Sequence, residues 1–415
     1  MYFKSLQISE WQQIQHLSIE FHPRLTILTG ANGCGKTTVL NILAKHFGWD
    51  QPLLATPLAD KSTGIVNYIQ RLFKGRPKPA GDPIGTLSYS DGTKATLTIP
   101  HNNSATYALS ISDQRGVKGF FIPSHRSVFR YQQITQIPLA KKDRTNAFHE
   151  ISNSMRNRYF GNNDQSTSFY MKQALIGWMI HGYGVKRDGA QIMPSDAQQV
   201  QHFEGFEEVL RKVLPKTLGF QRLEVRNMEV VFVCNNNGDH FVLETSSGGI
   251  SSLIDMAWQI YMFATEENSD FTVLIDEVEN HLHPTLQRRL LQDLTDAFPR
   301  ARFVVSTHSP LVVGSVKESS VYALRYNSEG KVESMKLDFQ GKPKTASEVL
   351  DEVLGVSFTM PVWVEEKLIE ITNRYRSKEP NEEYLTDLRD DLKSIGLERL
   401  LLGTMATLLE ERRDD

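Results

Sequence analysis

Four short runs carry the residue types that could do chemistry. Gly30-Ala31-Asn32-Gly33-Cys34-Gly35-Lys36-Thr37 has the glycine spacing that turns backbone N–H groups onto a polyphosphate, a lysine for its terminal charges and a hydroxyl for a magnesium ion. Residues 271–277 read FTVLIDE, a buried strand that delivers two acids to its C-terminal edge. Asp276 is then a candidate metal ligand alongside Thr37, and Glu277 the residue that orients and deprotonates an attacking water. Ser306-Thr307-His308 ends a further apolar run, so His308 reaches the same edge and can donate to a γ-phosphate. Lys36, Glu277 and His308 are the catalytic candidates. The fourth run, Ser246-Ser247-Gly248-Gly249, sits at a helix entry and makes a second anion site from N–H groups and hydroxyls without a lysine. It cannot easily serve the same phosphates, and its natural role is to cap ATP held by a second subunit; taken alone, a flexible turn is an equal reading. The nucleotide contacts expected are Gly30, Ala31, Asn32, Gly33, Cys34, Gly35, Lys36, Thr37 and Thr38 on one face, with Ser246, Ser247, Gly248 and Gly249 on the other.

These residues need elements to hold them. Leu25 to Thr29 is a short apolar run fit for a strand, and Thr38 to Phe47 has helical apolar spacing, so the glycine loop places a helix N-terminus against the phosphates. Met1 to Phe21 alternates as a β-hairpin. Residues 61–82 have helix-like spacing that ends in the basic run Lys74-Gly75-Arg76-Pro77-Lys78-Pro79, read as a solvated loop with nucleic-acid contact as the alternative. Residues 85–122 read as a β-meander with a turn at Asp91-Gly92. Ala147 to Tyr159, Ser168 to Ile180 and Phe203 to Val213 are helical without sustained heptads. Their aromatic and methionine residues (Tyr159, Phe160, Phe169, Tyr170, Met171, Trp178, Met179) are read as core. Leu223 to Val233 and His240 to Leu243 read as strands about an Asn235-to-Gly238 turn, and Ser320 to Tyr326 pairs with Lys331 to Leu337 as a hairpin. Helices are expected at 346–354, from Val362, at 382–395 and at 397–409. The division that follows is 1–134 for an N-terminal half, 135–217 for a helical insert, 218–340 for a C-terminal half and 341–415 for a helical tail.

With these four motifs in this order, the chain resembles the ABC-type P-loop ATPases: Walker A at Gly30 to Thr37, signature at Ser246 to Gly249, Walker B ending at Asp276-Glu277, and switch histidine His308. The resemblance implies an α/β fold, an ABC-type head with a mixed sheet, an antiparallel β lobe, an inserted helical subdomain and C-terminal helices. It implies ATP and Mg²⁺ as ligands, a head-to-tail sandwich homodimer or higher oligomer, and ATP hydrolysis. Two departures stand out: Ile250 where glutamine usually follows the signature glycines, and Val278-Glu279-Asn280-His281-Leu282-His283-Pro284 after Walker B. That string resembles the SMC-like and OLD-like ATPases, including stand-alone ATPase subunits of bacterial anti-phage systems. This implies a separately encoded effector, a nuclease or toxin, under ATP control. His281 and His283 have ligand spacing, but interface or phosphate-sensing roles are the reading preferred over metal. Phe120 to Arg126 resembles the strand and loop ahead of a helical insert in these proteins; Arg126 is read as a nucleotide or partner contact, or else as a surface ion pair.

OLD-type nucleases carry a nuclease domain after the head. Here Val364-Glu365-Glu366 lacks the glycine of that motif, and 415 minus 366 leaves 49 residues beyond it, fewer than a typical domain. Asp390-Asp391 is read as a solvated acidic face. Nuclease chemistry is therefore expected on another polypeptide. A DNA-repair or DNA-maintenance SMC-like ATPase is the alternative; it predicts a coiled-coil insert or a basic stripe, and neither is evident. A transporter subunit would lack the large insert and the HLHP string. The net charge of −3 supplies no general field for nucleic acid, although local contact stays open. The two cysteines, Cys34 and Cys234, give no disulfide framework and fit a reducing compartment. A thiol beside bound phosphate suggests a lowered pKa at Cys34, with a tolerated small residue as the simpler reading. With no apolar run long enough to span a bilayer and no leader, the expected location is the cytoplasm, with no membrane partner.

Overall fold

The computed structural model describes residues 1–59, 66–69, 81–100, 104–126, 128–136, 140–161, 165–338, 345–352, 362–376, 382–398 and 401. Chain contacts divide it into two units, Met1–Val349 and Leu350–Asp415.

The first unit is built on an eleven-stranded sheet. Its strands are β1 (Phe3–Trp11), β2 (Ile14–Glu20), β3 (Leu25–Gly30), β4 (Asp82–Tyr89), β5 (Lys94–Ile99), β6 (Ser110–Ser112), β7 (Gly119–Ile122), β8 (Phe271–Ile275), β9 (Ala301–Ser306), β10 (Ser320–Tyr326) and β11 (Val332–Leu337). Their spatial order is β6-β5-β4-β1-β2-β11-β10-β3-β9-β8-β7. The first five are antiparallel neighbours, and β10, β3, β9, β8 and β7 run parallel. The expected mixed α/β head with an antiparallel lobe is what the chain builds.

Sequence explains the two halves. Strands β3 and β8 are buried at every residue, as parallel strands covered on both faces must be. Strand β1 alternates, with Phe3, Leu6, Ile8 and Trp11 turned inward. Helix α1 (Lys36–Ala44) buries Val39, Leu40, Ile42, Leu43 and Ala44. Register then does the positioning: Ile122 pairs with Ile275, Ile275 with Val305, Ser306 with Leu28, and Gly30 with Leu324. Parallel pairing brings Pro123, Asp276, Thr307 and the glycine loop to one sheet edge.

The helices α2 (Arg144–Tyr159), α3 (Thr167–Tyr183) and α4 (Ala197–Val213) lie against α5 (Gly248–Phe263), and α4 also meets α6 (Pro284–Ala297). Trp178 and Met171 are buried, with Trp178 5.4 Å from Trp258, and Phe206 meets Trp258 edge-on at 4.7 Å. These are core rings, whereas Tyr159 and Phe160 are exposed. Lys172 is buried in α3 and bridges Glu229 and Glu244, so α3 is tied to the three-stranded sheet that precedes Ser246.

Three local expectations change, and one hairpin is added. The helix-like spacing at 61–82 gives a strand at Val66–Ile69 paired with Thr56–Ala59; residues 60–65 and the basic run at 74–79 lie outside the described residues. Residues 119–122 do not complete the meander but pair in parallel with β8 at the far edge. The run from Leu223 to Val233 is two strands, Phe220–Arg226 and Glu229–Cys234, because Asn227 and Met228 take left-handed φ values of 51° and 60°. Between α3 and α4, Val185–Arg187 and Ala190–Met193 form a hairpin.

In the second unit, helices Val362–Arg376 and Glu382–Ser394 share a core of Val364, Leu368, Ile371 and Tyr375 with Tyr384, Leu388, Leu392 and Leu397. Asp390 is exposed, as read, while Asp391 beside it is half-buried and accepts from Tyr375 Oη at 2.9 Å and Arg374 at 3.0 Å.

His46, just after α1, bonds Leu43 O through Nδ1 and Tyr89 Oη through Nε2. Burial pushes its pKa down to about 4. A histidine whose folded pKa is depressed leaves the unfolded chain binding more protons below about pH 6.5. Its stabilisation is therefore complete above that pH and is lost as pH falls towards 4. Denaturant titrations between pH 7 and 4.5 should show a shallower loss for His46→Gln than for the wild type; parallel curves would remove His46 as a contributor.

Candidate functional site

The glycine loop leaves β3 at Gly30, whose φ is 136°, and a Cβ there would lie 2.1 Å from Leu324 O. Only glycine fits. Gly33 and Gly35 also have positive φ, and α1 starts after Gly35 with no side-chain cap. Its first N–H groups therefore face the loop's concavity, which is the arrangement that binds phosphate. Lys36 is buried and folds back, its Nζ donating to Gly30 O and Ala31 O, both at 2.9 Å. Burial pushes its pKa down. These two carbonyls hold the ammonium where phosphate oxygens would replace them. Cys34 is buried beneath the loop, and desolvation raises its pKa despite Lys36, so the lowered thiol pKa suggested by sequence is corrected. A cleft of about 280 Å³ opens beside Gly33, Gly35 and Thr38 against the β1–β2 turn at Gln12 and Gln13.

Across the sheet edge, Thr37 Oγ1 donates to the Asp276 carboxylate, 3.1 and 3.0 Å from its two oxygens. The Ser306 hydroxyl also donates to Asp276. Burial raises the Asp276 pKa, and the Ser306 and Thr37 bonds oppose this. A carboxylate and a hydroxyl beside a phosphate cradle are the hard oxygen donors that suit Mg²⁺, so the donor set fits that ion. Glu277 has φ of 44°, uncommon for a non-glycine residue and typical of strained functional positions. Its N–H donates to Ser306 Oγ at 2.8 Å, and its carboxylate accepts from Asn280 Nδ2 at 2.7 Å. His308 is half-buried, and its N–H donates to Glu279 Oε1 at 2.5 Å. Desolvation, then Lys36, lowers its pKa, which favours the neutral ring. A second cleft of about 550 Å³ lies beside Thr37, Asn41, Ser124, His125 and Asp276.

One arginine had a different place in the sequence reading. Arg126 is not a surface ion pair: it is buried, and it also lines the cleft beside Thr37 and Asp276. Its Nη2 donates to Asp276 O and Glu277 O at 3.2 and 2.9 Å, and its Nη1 to Asn280 O, Val278 O and Ser252 Oγ at 3.3, 3.5 and 3.1 Å. Burial brings its pKa down to about 10, opposed by Asp255, Glu279, Asp276 and Glu277.

The signature run stands apart from this cluster. Ser247 and Gly248 are exposed, and a Cβ at Gly248 would meet nothing within 4 Å. Ser246 Oγ donates to Leu243 O at 2.8 Å, and α5 begins at Gly248 with no side-chain cap. Among the described residues, no hydrogen bond joins 246–249 to 30–38. The run packs instead on the HLHP loop, where a Cβ at Gly249 would lie 3.2 Å from His281 O. His281 has φ of 68° and is exposed. His283 caps α6, its Nδ1 accepting from Thr285 N at 3.4 Å. Among the described residues, no helix is long and apolar enough to cross a membrane.

A P-loop strand and helix, Walker B acids and a strand-end histidine on one edge of a mixed sheet are the parts of a P-loop ATPase of ABC type, and the family match and sequence relatives agree with an ATPase. Residues 25–314 match the family described as "AAA domain, putative AbiEii toxin, Type IV TA system", and the chain belongs to that family. It is 22% identical to the Septu protein PtuA of Bacillus thuringiensis over 87% of this chain and 86% of that protein. It is 26% identical to the "Retron Ec83 probable ATPase" of Escherichia coli over 46% of this chain and 31% of that protein. The SMC head domain from Thermotoga maritima superposes at a TM-score of 0.43 with 14% identity, covering 81% of this chain and all of that one. The recognition as an ATPase resembling those of bacterial anti-phage systems stands with these relatives.

Proposed function

We propose that the chain binds ATP with Mg²⁺ in a head-to-tail dimer, hydrolyses it, and through that cycle controls a separately encoded effector, a nuclease or toxin, in anti-phage defence in the cytoplasm. The observation that carries the dimer is that one chain presents two candidate phosphate sites that do not share hydrogen bonds: a lysine-bearing cradle, and an exposed helix entry where a Cβ at Gly248 would meet nothing within 4 Å. The matched relatives are named as a Septu protein and a retron ATPase, and the separate effector follows from the resemblance to stand-alone ATPase subunits.

In this reading the α1 N–H groups and Lys36 bind the β- and γ-phosphates, Lys36 leaving its two carbonyls to do so. Thr37 and Asp276 would hold Mg²⁺, which when bound neutralises charge on the transferred phosphoryl group. Glu277, oriented by Asn280, takes the proton of the attacking water. Neutral His308 donates to the γ-phosphate. Ser246, Ser247, Gly248 and Gly249 of the second copy close the site, so that each chain contributes to two sites.

Complementation tests this. A Cβ at Gly248 would meet nothing within 4 Å, so Gly248→Leu starts its side chain in open space at the exposed helix entry and obstructs what docks there. Lys36→Ala and Gly248→Leu should each be inactive, yet an equal mixture should regain turnover, with about a quarter of the wild type as the ceiling for independent sites. In a two-fold dimer that exchanges freely, half the pairs are mixed and each holds one intact composite site. No recovery on mixing, with exchange verified, would contradict the shared site.

A further inference from the structure

We infer that Arg126 is the link between the two nucleotide sites of the dimer: a positioning residue that joins each chain's signature helix to the backbone of that chain's own Walker B segment, Asp276 to Asn280. The inference rests on the sandwich reading above and adds a route through the protomer.

The chain supplies Asp276 and Glu277 to one site and Ser246 to Gly249 to the other, so communication between sites has to cross its interior. Arg126 lies on that crossing. Ser252 sits on α5, five residues beyond Ser247, and is buried; it accepts from Arg126 Nη1 and itself donates to Asn280 O at 3.4 Å. The other guanidinium bonds end on the backbone carbonyls of Asp276, Glu277, Val278 and Asn280. Asn280 in turn holds the Glu277 carboxylate. A planar fork with fixed donor directions ties the helix to the loop in a way a lysine's single ammonium does not. Asp255, one turn along α5 from Ser252, is buried and adds charge attraction to Arg126. When the signature run of α5 clamps a nucleotide on the opposing chain, a shift of the helix is carried by Arg126 to the segment that aims Glu277. Energetic coupling of this kind makes binding at one site change the other.

The test compares the full-length wild type with Arg126→Lys, Ser252→Ala and the double variant, measuring ATP turnover against ATP concentration and the stoichiometry of bound ATP analogue. The wild type should show a Hill coefficient well above 1. Arg126→Lys should lower kcat about tenfold or more and bring the Hill coefficient to about 1, with one analogue bound per chain as before. Ser252→Ala should move both quantities in the same direction by less, and the double variant should fall less than the two single effects added, because the Ser252–Arg126 bond is lost in each single variant. A structural role alone would reduce the bound stoichiometry and leave the Hill coefficient of the remaining active protein unchanged. If Arg126→Lys does not fold, Ser252→Ala decides: wild-type kcat and cooperativity there overturn the inference. An active wild type with a Hill coefficient of 1, or an Arg126→Lys variant that keeps both values, also overturns it. A wild type with no turnover instead contradicts the proposed ATPase function, so the two failures read differently.

Discussion

Lys36→Ala should lose two to three orders of magnitude in ATP affinity, with the fold intact. In the protein its ammonium donates to two loop carbonyls, which can exchange for phosphate oxygens without moving the backbone. Hydrogen bonds involving charged groups contribute about 1.5–3 kcal/mol each, and two of them correspond to roughly the loss stated, at about 1.4 kcal/mol per decade. Alanine makes no clash but leaves the buried Gly30 O and the part-buried Ala31 O without the ammonium, so thermal unfolding in the absence of nucleotide should come somewhat earlier while remaining cooperative. Titration with a fluorescent ATP analogue reads the affinity. Binding within threefold of the wild type would remove Lys36 from the site.

The second large effect is on turnover. Glu277→Gln keeps the size and the bond to Asn280 in reach, but the amide cannot take a proton from water. A general base contributes about 10²- to 10⁴-fold, so kcat should fall by at least about a hundredfold while ATP affinity is unchanged. With hydrolysis blocked, ATP-bound dimer should accumulate and be visible by light scattering. Wild-type turnover in this variant would exclude Glu277 as the base and shift that role to another group near the γ-phosphate.

Much of the sheet and of the site was legible because local sequence and chemistry agree there. A continuous apolar run into Asp276-Glu277 and another into Ser306 read as strands of one parallel layer, and their ends meet at one edge. The β1–β2 and β10–β11 hairpins were legible from alternation. Less legible were features that depend on distant partners. Phe120 to Ile122 looks like one more strand of a meander, yet its pairing is with Val273 to Ile275, about 150 residues later, and nothing local announces that. The strand at Val66–Ile69 carries an apolar spacing that suits either period over so short a run. Arg126 was visible as a residue but not in its role: its acceptors are mostly backbone carbonyls, which leave no mark in a sequence. The turn at Asn227-Met228 was hidden for a related reason, since Met has no preference for the left-handed region it occupies.

The shared nucleotide site is the claim on which the rest depends, and a structure of full-length Glu277→Gln with ATP and Mg²⁺ tests it most directly. The account predicts a dimer in which the γ-phosphate is within hydrogen-bond distance of Lys36 of one copy and of residues 246–249 of the other. A triphosphate held by a single chain, with that signature run facing solvent in every copy, would contradict it.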